Sequence, residues 1–326
     1  MARRIVFGVM SSQQSAATVA QLVDALAPYP VVVHHDFDKR RDFELDRPNV
    51  ELVPDPKVTG WGTWGFAEAI FHTISHALAR HDFDYFQLLS PTCLPIRPLE
   101  DFAAHVAADG ADINADTMPV DGDDDVLMTF GYRTYIPGRT LRFRLMRRAR
   151  GWYFGQDADL VQTHSLSVMR RRQPVAAVGP VSLRPRAGLA LTRLVAGGRL
   201  SSHPFGPDFK PMIGSVWFGA KRAVCEHLTR LRGDEHALEF FRNLHIVDET
   251  LFPTLLANSG FRMGPSNHAI SPFDDDGHPR WIEEADFARV VASRRFFARK
   301  FPDDPQATVR RRALALMSRP EPVPNP

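Results

Sequence analysis

The chain has 326 residues, 44% of them hydrophobic, and a formal charge of +2. That length can bury a large core in one α/β domain or two smaller ones, and the near-neutral balance excludes a chain built throughout to grip nucleic acid. Two distant cysteines, Cys93 and Cys225, give neither a disulfide framework nor a zinc pattern, and no apolar run reaches the ~18 residues of a membrane span.

Charge is nevertheless unevenly spread. Acids gather at 109–125 and 274–276, and arginines at 139–150, 170–172, 184–199 and 294–312. Such basic surface fits an anionic ligand or an anionic membrane. The start, MARRIVFGVM, is basic, but its apolar run is too short for a secretory signal. The expected location is cytoplasmic, with basic patches giving peripheral contact to the inner face of the membrane.

Arg4 to Met10 reads as a buried strand, Ser15 to Leu26 as a helix capped by serine, and Val31 to Val33 as a second strand. Strand, helix, strand in that order implies a right-handed crossover and a parallel sheet. His34, His35 and Asp36 follow the second strand, where open α/β sheets bind ligands. A solvated turn is the competing reading for these residues. Asn49 to Pro54 gives a third strand. Trp61, Gly62, Trp64 and Gly65 then form an aromatic-glycine loop ahead of a helix with Glu68 in its first turn. Glycines allow close backbone approach and tryptophans offer a flat wall for a base or a sugar, although core filling is the commoner use of tryptophan.

Tyr85 to Leu89 is a strand ending in a proline-punctuated loop. A helix over Leu99 to Ala107 and a strand at 112–114 complete a nucleotide-binding half over 1–120. Residues 117–125 read as an acidic loop. Residues 130–200 show no clean period and read as an irregular basic insertion, with 164–173 helical. The half at 205–304 holds a strand near 213, a helix and a charged loop. Asp248 and Glu249 then open a second apolar helix. Acids at a helix start can simply stabilise it through the macrodipole; alternatively, Glu249 faces a cleft as a general base. Residues 284–297 read as a helix. The tail at 305–326 is basic and then proline-rich, with disorder expected beyond about 317.

Six blocks recur in a recognisable order. They are VVVHHDFDK, WGTWGFAEA, FDYFQLLSPTCLPIRP, GSVWFGAKRAV, VDETLFPTLLANS, and HPRW with FARKF. Together they resemble the core-2/I-branching β-1,6-N-acetylglucosaminyltransferases and peptide O-xylosyltransferases, glycosyltransferase family 14. The resemblance spans residues 5–301 and omits 130–200. It implies a GT-A-like nucleotide-diphospho-sugar transferase fold, α/β with a mixed, mostly parallel central sheet, in a single domain over 1–304. It also implies inverting, metal-independent transfer of GlcNAc, or alternatively xylose, from a UDP-sugar donor to a glycan acceptor, with no separate cofactor and no nucleic-acid partner.

Carried over by position, Glu249 is the catalytic base. Arg280 and Lys300 hold the donor diphosphate, with Arg299 beside them. His35, Asp36, Trp64 and Glu68 line the nucleoside side, and Trp217 and Asp248 join the substrate-binding set. Inversion needs a carboxylate to take the acceptor proton, which contributes ~10²–10⁴-fold, and cations to neutralise the leaving diphosphate. Cys93 stands where the family often has an aspartate. Two other readings remain open: a metal-dependent transferase using the acidic 121–125 loop, with Asp121-x-Asp123 as its pair, and a non-catalytic nucleotide- or glycan-binding protein.

Overall fold

Alternating side chains in two short strands set the architecture. In β1 (Ile5–Ser11), Ile5, Phe7 and Val9 face one side of the sheet, and Val6 and Met10 the other. In β2 (Val31–His35), Val31 and Val33 join the first set and Val32 the second. Both faces are buried, as in strands that carry helices on both sides. The computed structural model describes residues 4–134, 140–163, 166–175, 183–200, 203–270, 273–274 and 279–317.

Helix α1 (Ala16–Ala25) links β1 to β2, and β3 (Val50–Leu52) follows. Next come α2 (Trp64–Arg80), β4 (Tyr85–Leu89), β5 (Leu94–Pro95) and α3 (Leu99–Ala108). Strands β6 (Ile113–Asn114) and β7 (Thr117–Pro119) lead into α4 (Asp123–Arg133) and α5 (Leu141–Phe154). A hairpin of β8 (Ala158–Gln162) and β9 (Ser167–Arg171) precedes α6 (Leu183–Leu200). Then follow β10 (Met212–Gly214), β11 (Gly219–Lys221), α7 (Arg222–Arg232), α8 (Glu235–Arg242) and α9 (Asp248–Ala257). The last elements are β12 (Met263–Gly264), β13 (His268–Ile270), α10 (Glu284–Ala292), β14 (Phe297–Arg299) and α11 (Thr308–Ala315).

The central sheet has the order β12-β6-β11-β4-β1-β2-β3. Only β11 runs against its neighbours; the other pairings in this sheet are parallel. The fold is therefore the mixed, mostly parallel α/β sheet expected. One face is covered by α2, α7 and α9, through Ile70, Ile74, Leu228 and Phe252. The other is covered by α1, α3, α10 and α11, through Leu22, Phe102, Phe287 and Ala313. Each large apolar side chain fully buried in this way contributes roughly 1.5–3 kcal/mol.

Strand β11 enters between β4 and β6, so the sheet is not complete within the first 120 residues. Gly219 meets the polar centre of the sheet here: a Cβ added to it would lie 2.1 Å from the Tyr85 hydroxyl. That hydroxyl donates to Asn114 Oδ1 at 2.6 Å and accepts from Asn267 Nδ2 at 2.7 Å. Gln87 accepts from Asn267 at 2.9 Å and donates to the Phe218 carbonyl at 3.0 Å. A buried network satisfied to this degree ties four chain segments together at once.

Several local expectations are corrected. Residues 164–173 were expected to be helical, but 167–171 form strand β9, whose partner β8 satisfies its backbone; residues 164–165 lie outside the described set. The 130–200 stretch is more regular than its composition implies. Its glycines and proline obscure the period, yet Pro185 sits in the first turn of α6, where it costs little, and Gly188 lets α6 approach the backbone of Ala149. The acidic loop is partly helix, with Asp123, Asp124 and Asp125 forming the first turn of α4. The expected helix over 284–297 stops at Ala292, and β14 takes over at Phe297. The tail forms α11, and residues 318–326 lie outside the described set.

Candidate active site

Helix α9 begins at Asp248, with Val247 as its N-cap. Its two acids behave differently. Asp248 turns inward, is 9% exposed, and leaves Oδ1 without a hydrogen-bond partner. Burial, followed by the charge of Glu249, pushes its carboxyl up to about 7. Glu249 turns outward. Its side chain is 41% exposed, and Oε2 accepts from Arg133 Nη2 at 3.0 Å.

Arg133 ends α4 and is itself well fixed. Its Nη1 donates to the Ile246 carbonyl at 2.8 Å, and its own carbonyl accepts from the His245 amide. Ile246 adopts φ 53°, a left-handed conformation that β-branched residues seldom take. The Ile246 amide also donates to the Gly62 carbonyl at 2.7 Å. Gly62 has φ 68°, and a Cβ there would lie 2.8 Å from both the His245 ring and the Ile246 nitrogen, so only glycine fits. Trp61 is exposed and stands edge-on to His245, with ring centroids 5.0 Å apart. The aromatic-glycine loop, the end of α4 and the start of α9 therefore meet at one point. Backbone held under strain by several partners is a recurrent feature of binding sites.

Arg299 approaches the same acids from β14. Its guanidinium carbon lies 4.9 Å from the Trp217 ring centroid, and its Nε is buried without a partner. Burial lowers its pKa, while the neighbouring acids Glu249 and Asp248 oppose that shift. The next residues run past the end of β4, where the Phe301 amide donates to the Thr92 carbonyl at 2.9 Å. This is the carboxyl edge of a largely parallel sheet, the usual place for a ligand. Lys300 Nζ lies 4.1 Å from the Trp281 ring centroid, and its pKa is lowered by burial and then by Arg299. The Ile282 amide donates to the Lys300 carbonyl at 2.8 Å, so the 280–282 segment lies against Lys300. Arg280 donates to Asp286 at 3.3 Å.

Glu249, Asp248, Arg299 and Trp217 thus come together, with Lys300 and Arg280 alongside. The remaining candidates are placed otherwise. His35 and Asp36 are buried with their polar atoms engaged inside the protein. His35 bonds to Ser11 Oγ at 3.0 Å and to the Arg40 carbonyl at 2.8 Å, and stacks on Phe43. Asp36 accepts from the Thr59 amide and hydroxyl, each at 2.6 Å, and from the Asp38 amide at 3.1 Å. In this structure His35 ties the end of β2 to β1 and to the 40–43 loop, and Asp36 ties it to Thr59. Trp64 lies beneath the Arg242 guanidinium of α8 at 5.1 Å, and Glu68 pairs with Arg232 of α7 at 3.6 Å. Both therefore look towards α7 and α8. Cys93 is buried, accepting from the Ser90 amide at 3.3 Å, and stands 3.7 Å from His268 Nε2.

A cavity of about 480 Å³ opens elsewhere, between the start of α4, helix α6 and the 203–211 loop. Asp121 and Asp123 line it. The axis of α4 puts about 15 Å between Asp123 and Arg133, so this acidic pair stands away from Glu249. Of the other acids here, Asp125 accepts from the Tyr153 hydroxyl at 2.6 Å, and Asp124 pairs with Arg193 at 3.5 Å. Among the described residues, no group of three or more His, Cys, Asp and Glu is gathered to hold a metal ion. Arg133 escaped the sequence reading because a lone arginine in an unpatterned stretch gives no local signal of its partner.

Comparison with known proteins bears on the first part of the chain. A model of the family described as "Branch: Core-2/I-Branching enzyme" matches residues 16–118. No curated protein matches the sequence. Among solved structures, the crystal structure of S. aureus TarS 1–349 aligns at 14% identity with a TM-score of 0.22, covering 58% of this chain and 55% of that one. The family match covers about a third of the chain, from α1 through β6, and the aligned part spans about half the length of that solved structure.

Proposed function

We propose that this chain is an inverting glycosyltransferase that moves a sugar, with GlcNAc favoured over xylose, from a UDP-sugar to a glycan hydroxyl. The observation that carries the reading is the setting of Glu249. Its carboxylate is half-exposed at a helix start, held by Arg133, and faced by the buried Arg299 at the carboxyl edge of the sheet.

In this reading the acceptor hydroxyl binds beside Glu249, which takes its proton as the oxygen attacks the anomeric carbon. The bond to the diphosphate breaks on the opposite face, which inverts the centre. In the same reading Lys300 and Arg280 meet the negative charge building on the diphosphate, and Arg299 adds a fixed positive charge. The UDP-sugar is a substrate, and no separate cofactor enters the reaction. Transfer takes place at the inner face of a membrane, on a growing polysaccharide.

A metal-dependent route through the 121–125 segment has less support, because α4 separates those acids from Glu249 by most of its length. The experiment is a transfer assay over a panel of UDP-sugars with wild type and Glu249→Gln. Transfer that survives the substitution with less than a tenfold loss rejects Glu249 as base. UDP binding without turnover on any sugar favours a non-catalytic binding protein. Complete loss of wild-type activity on chelation favours the metal route.

A further inference from the structure

Helices α5 and α6 carry an unusual charge pattern. Five arginines on α5 and four on α6 come with no aspartate or glutamate on either helix, in a chain whose overall charge is only +2. The two helices pack side by side, and Gly188 allows the contact: a Cβ there would lie 2.6 Å from the Ala149 carbonyl. Each helix buries its inner side. Met146 and Ala149 do so on α5, and Leu189, Thr192 and Ala196 on α6. The outer sides face away from the protein.

Those outer sides are complementary in kind. On α6, Leu183, Ala187, Ala190 and Leu194 recur at i, i+4, i+7 and i+11, which makes one stripe along the helix. All four are exposed, with Leu183 at 72% and Leu194 at 83%. On α5, exposed Leu141 lies in line with Arg144 and Arg148, and Arg147 flanks them. Arg142, Arg144, Arg147, Arg148, Arg184 and Arg186 are all exposed, and none forms an ion pair among the described residues. The acids of the first turn of α4 lie to one side: Asp124 is taken up by Arg193 of α6, Asp125 accepts from the Tyr153 hydroxyl of α5, and Asp123 lines the cavity beside α6.

We propose that the α5–α6 pair is a docking surface for an anionic lipid bilayer. The leucine stripe enters the headgroup–acyl boundary while the arginines meet lipid phosphates. An apolar stripe beside an acid-free basic face is what an interfacial helix requires. A purely electrostatic polyanion site would have no use for four exposed apolar side chains in register. None of the described helices is long and apolar enough to cross the membrane, so α6 lies along the surface. The surface is separate from Glu249, and the inference stands whether or not Glu249 is the base.

The test is co-sedimentation of the full chain with phosphatidylcholine vesicles, with and without phosphatidylglycerol. Binding is expected only with the anionic lipid, weakening as salt rises. Arg144→Gln and Arg148→Gln should each weaken it by about fivefold, and Leu183→Ser with Leu194→Ser by at least about tenfold at an unchanged salt slope. All four positions are exposed, and unchanged melting temperatures confirm that the variants fold. Equal binding to neutral vesicles, or no binding to anionic ones, overturns the proposal. So does wild-type binding by the double leucine variant, or capture of a soluble polyanion such as heparin in place of vesicles.

Discussion

The Glu249 carboxylate and the Arg133 guanidinium meet at 3.0 Å across 116 residues of sequence, and the same arginine grips the carbonyl of Ile246. Arg133 therefore fixes both the acid and the turn that leads into its helix. If Glu249 is the base, Glu249→Gln lowers kcat by ~10²–10⁴-fold and leaves UDP affinity nearly unchanged by calorimetry. Arg133→Met should misplace the carboxylate and cost on the order of 10²-fold in kcat, with partial recovery in Arg133→Lys. An Arg133→Met enzyme with normal kcat would show that the pair is only structural.

The donor diphosphate gives a separate test. Lys300→Met removes a cation next to Trp281, and Arg299→Met removes the one above Trp217. A charge-assisted bond lost from a partly desolvated site is worth about 1.5–3 kcal/mol, so UDP affinity should fall by about 10- to 100-fold in each variant. Uridine, which lacks the diphosphate, should bind each variant as it binds wild type. Equal losses for uridine would place these residues on the nucleoside or in the scaffold.

Buried titratable groups pull stability in opposite directions with pH. The Asp248 carboxyl, raised to about 7 by burial and by Glu249, binds its proton more tightly in the folded state than in the unfolded one. Its contribution to stability is therefore full below the ordinary carboxylate range and is lost as pH climbs towards about 7. His34 and His268 are lowered by burial to about 4 and about 3. Their neutral forms are favoured in the fold, so their contribution is full above the ordinary histidine value of 6.5 and is lost as pH falls below it. Asp248→Asn should raise the melting temperature at pH 8 relative to wild type and have little effect at pH 4. His34→Gln should flatten the acid limb between pH 6.5 and 4. The reverse pattern in either melting series would reject the assignment.

At Gly219 a methyl group has no room. Gly219→Ala would press on the Tyr85 hydroxyl and on Gln87, whose partners include Asn114 and Asn267. Overpacking of this kind costs typically 1–3 kcal/mol, and any hydrogen bond broken in the buried network adds to it. Urea titration should show a lower midpoint with an unchanged slope.

The strands and crossovers of the first half were legible because their apolar runs are short, unbroken and bounded by Pro, Gly and Asp. The acids at 248–249 were legible as a helix start, and which of them faces solvent was not. Helix periodicity does not record that Asp248 turns into the protein while Glu249 turns out to Arg133. His35 and Asp36 stand at the expected strand end, but their hydrogen bonds turn them inward, and position alone carries no information on direction. Helix α6 was hidden because its exposed side carries an apolar stripe among its arginines, which weakens the contrast on which a period depends.

Strand β11 occupies a slot between β4 and β6 that those two strands cannot close by themselves. During synthesis both edges wait, with unpaired amides and carbonyls, until residue 219 has been made. A fragment ending near residue 118, where the family match ends, would present those edges to any neighbouring chain and would be prone to self-association. The matched stretch is thus not a severable module, and shortened versions of this protein should keep everything through at least β14.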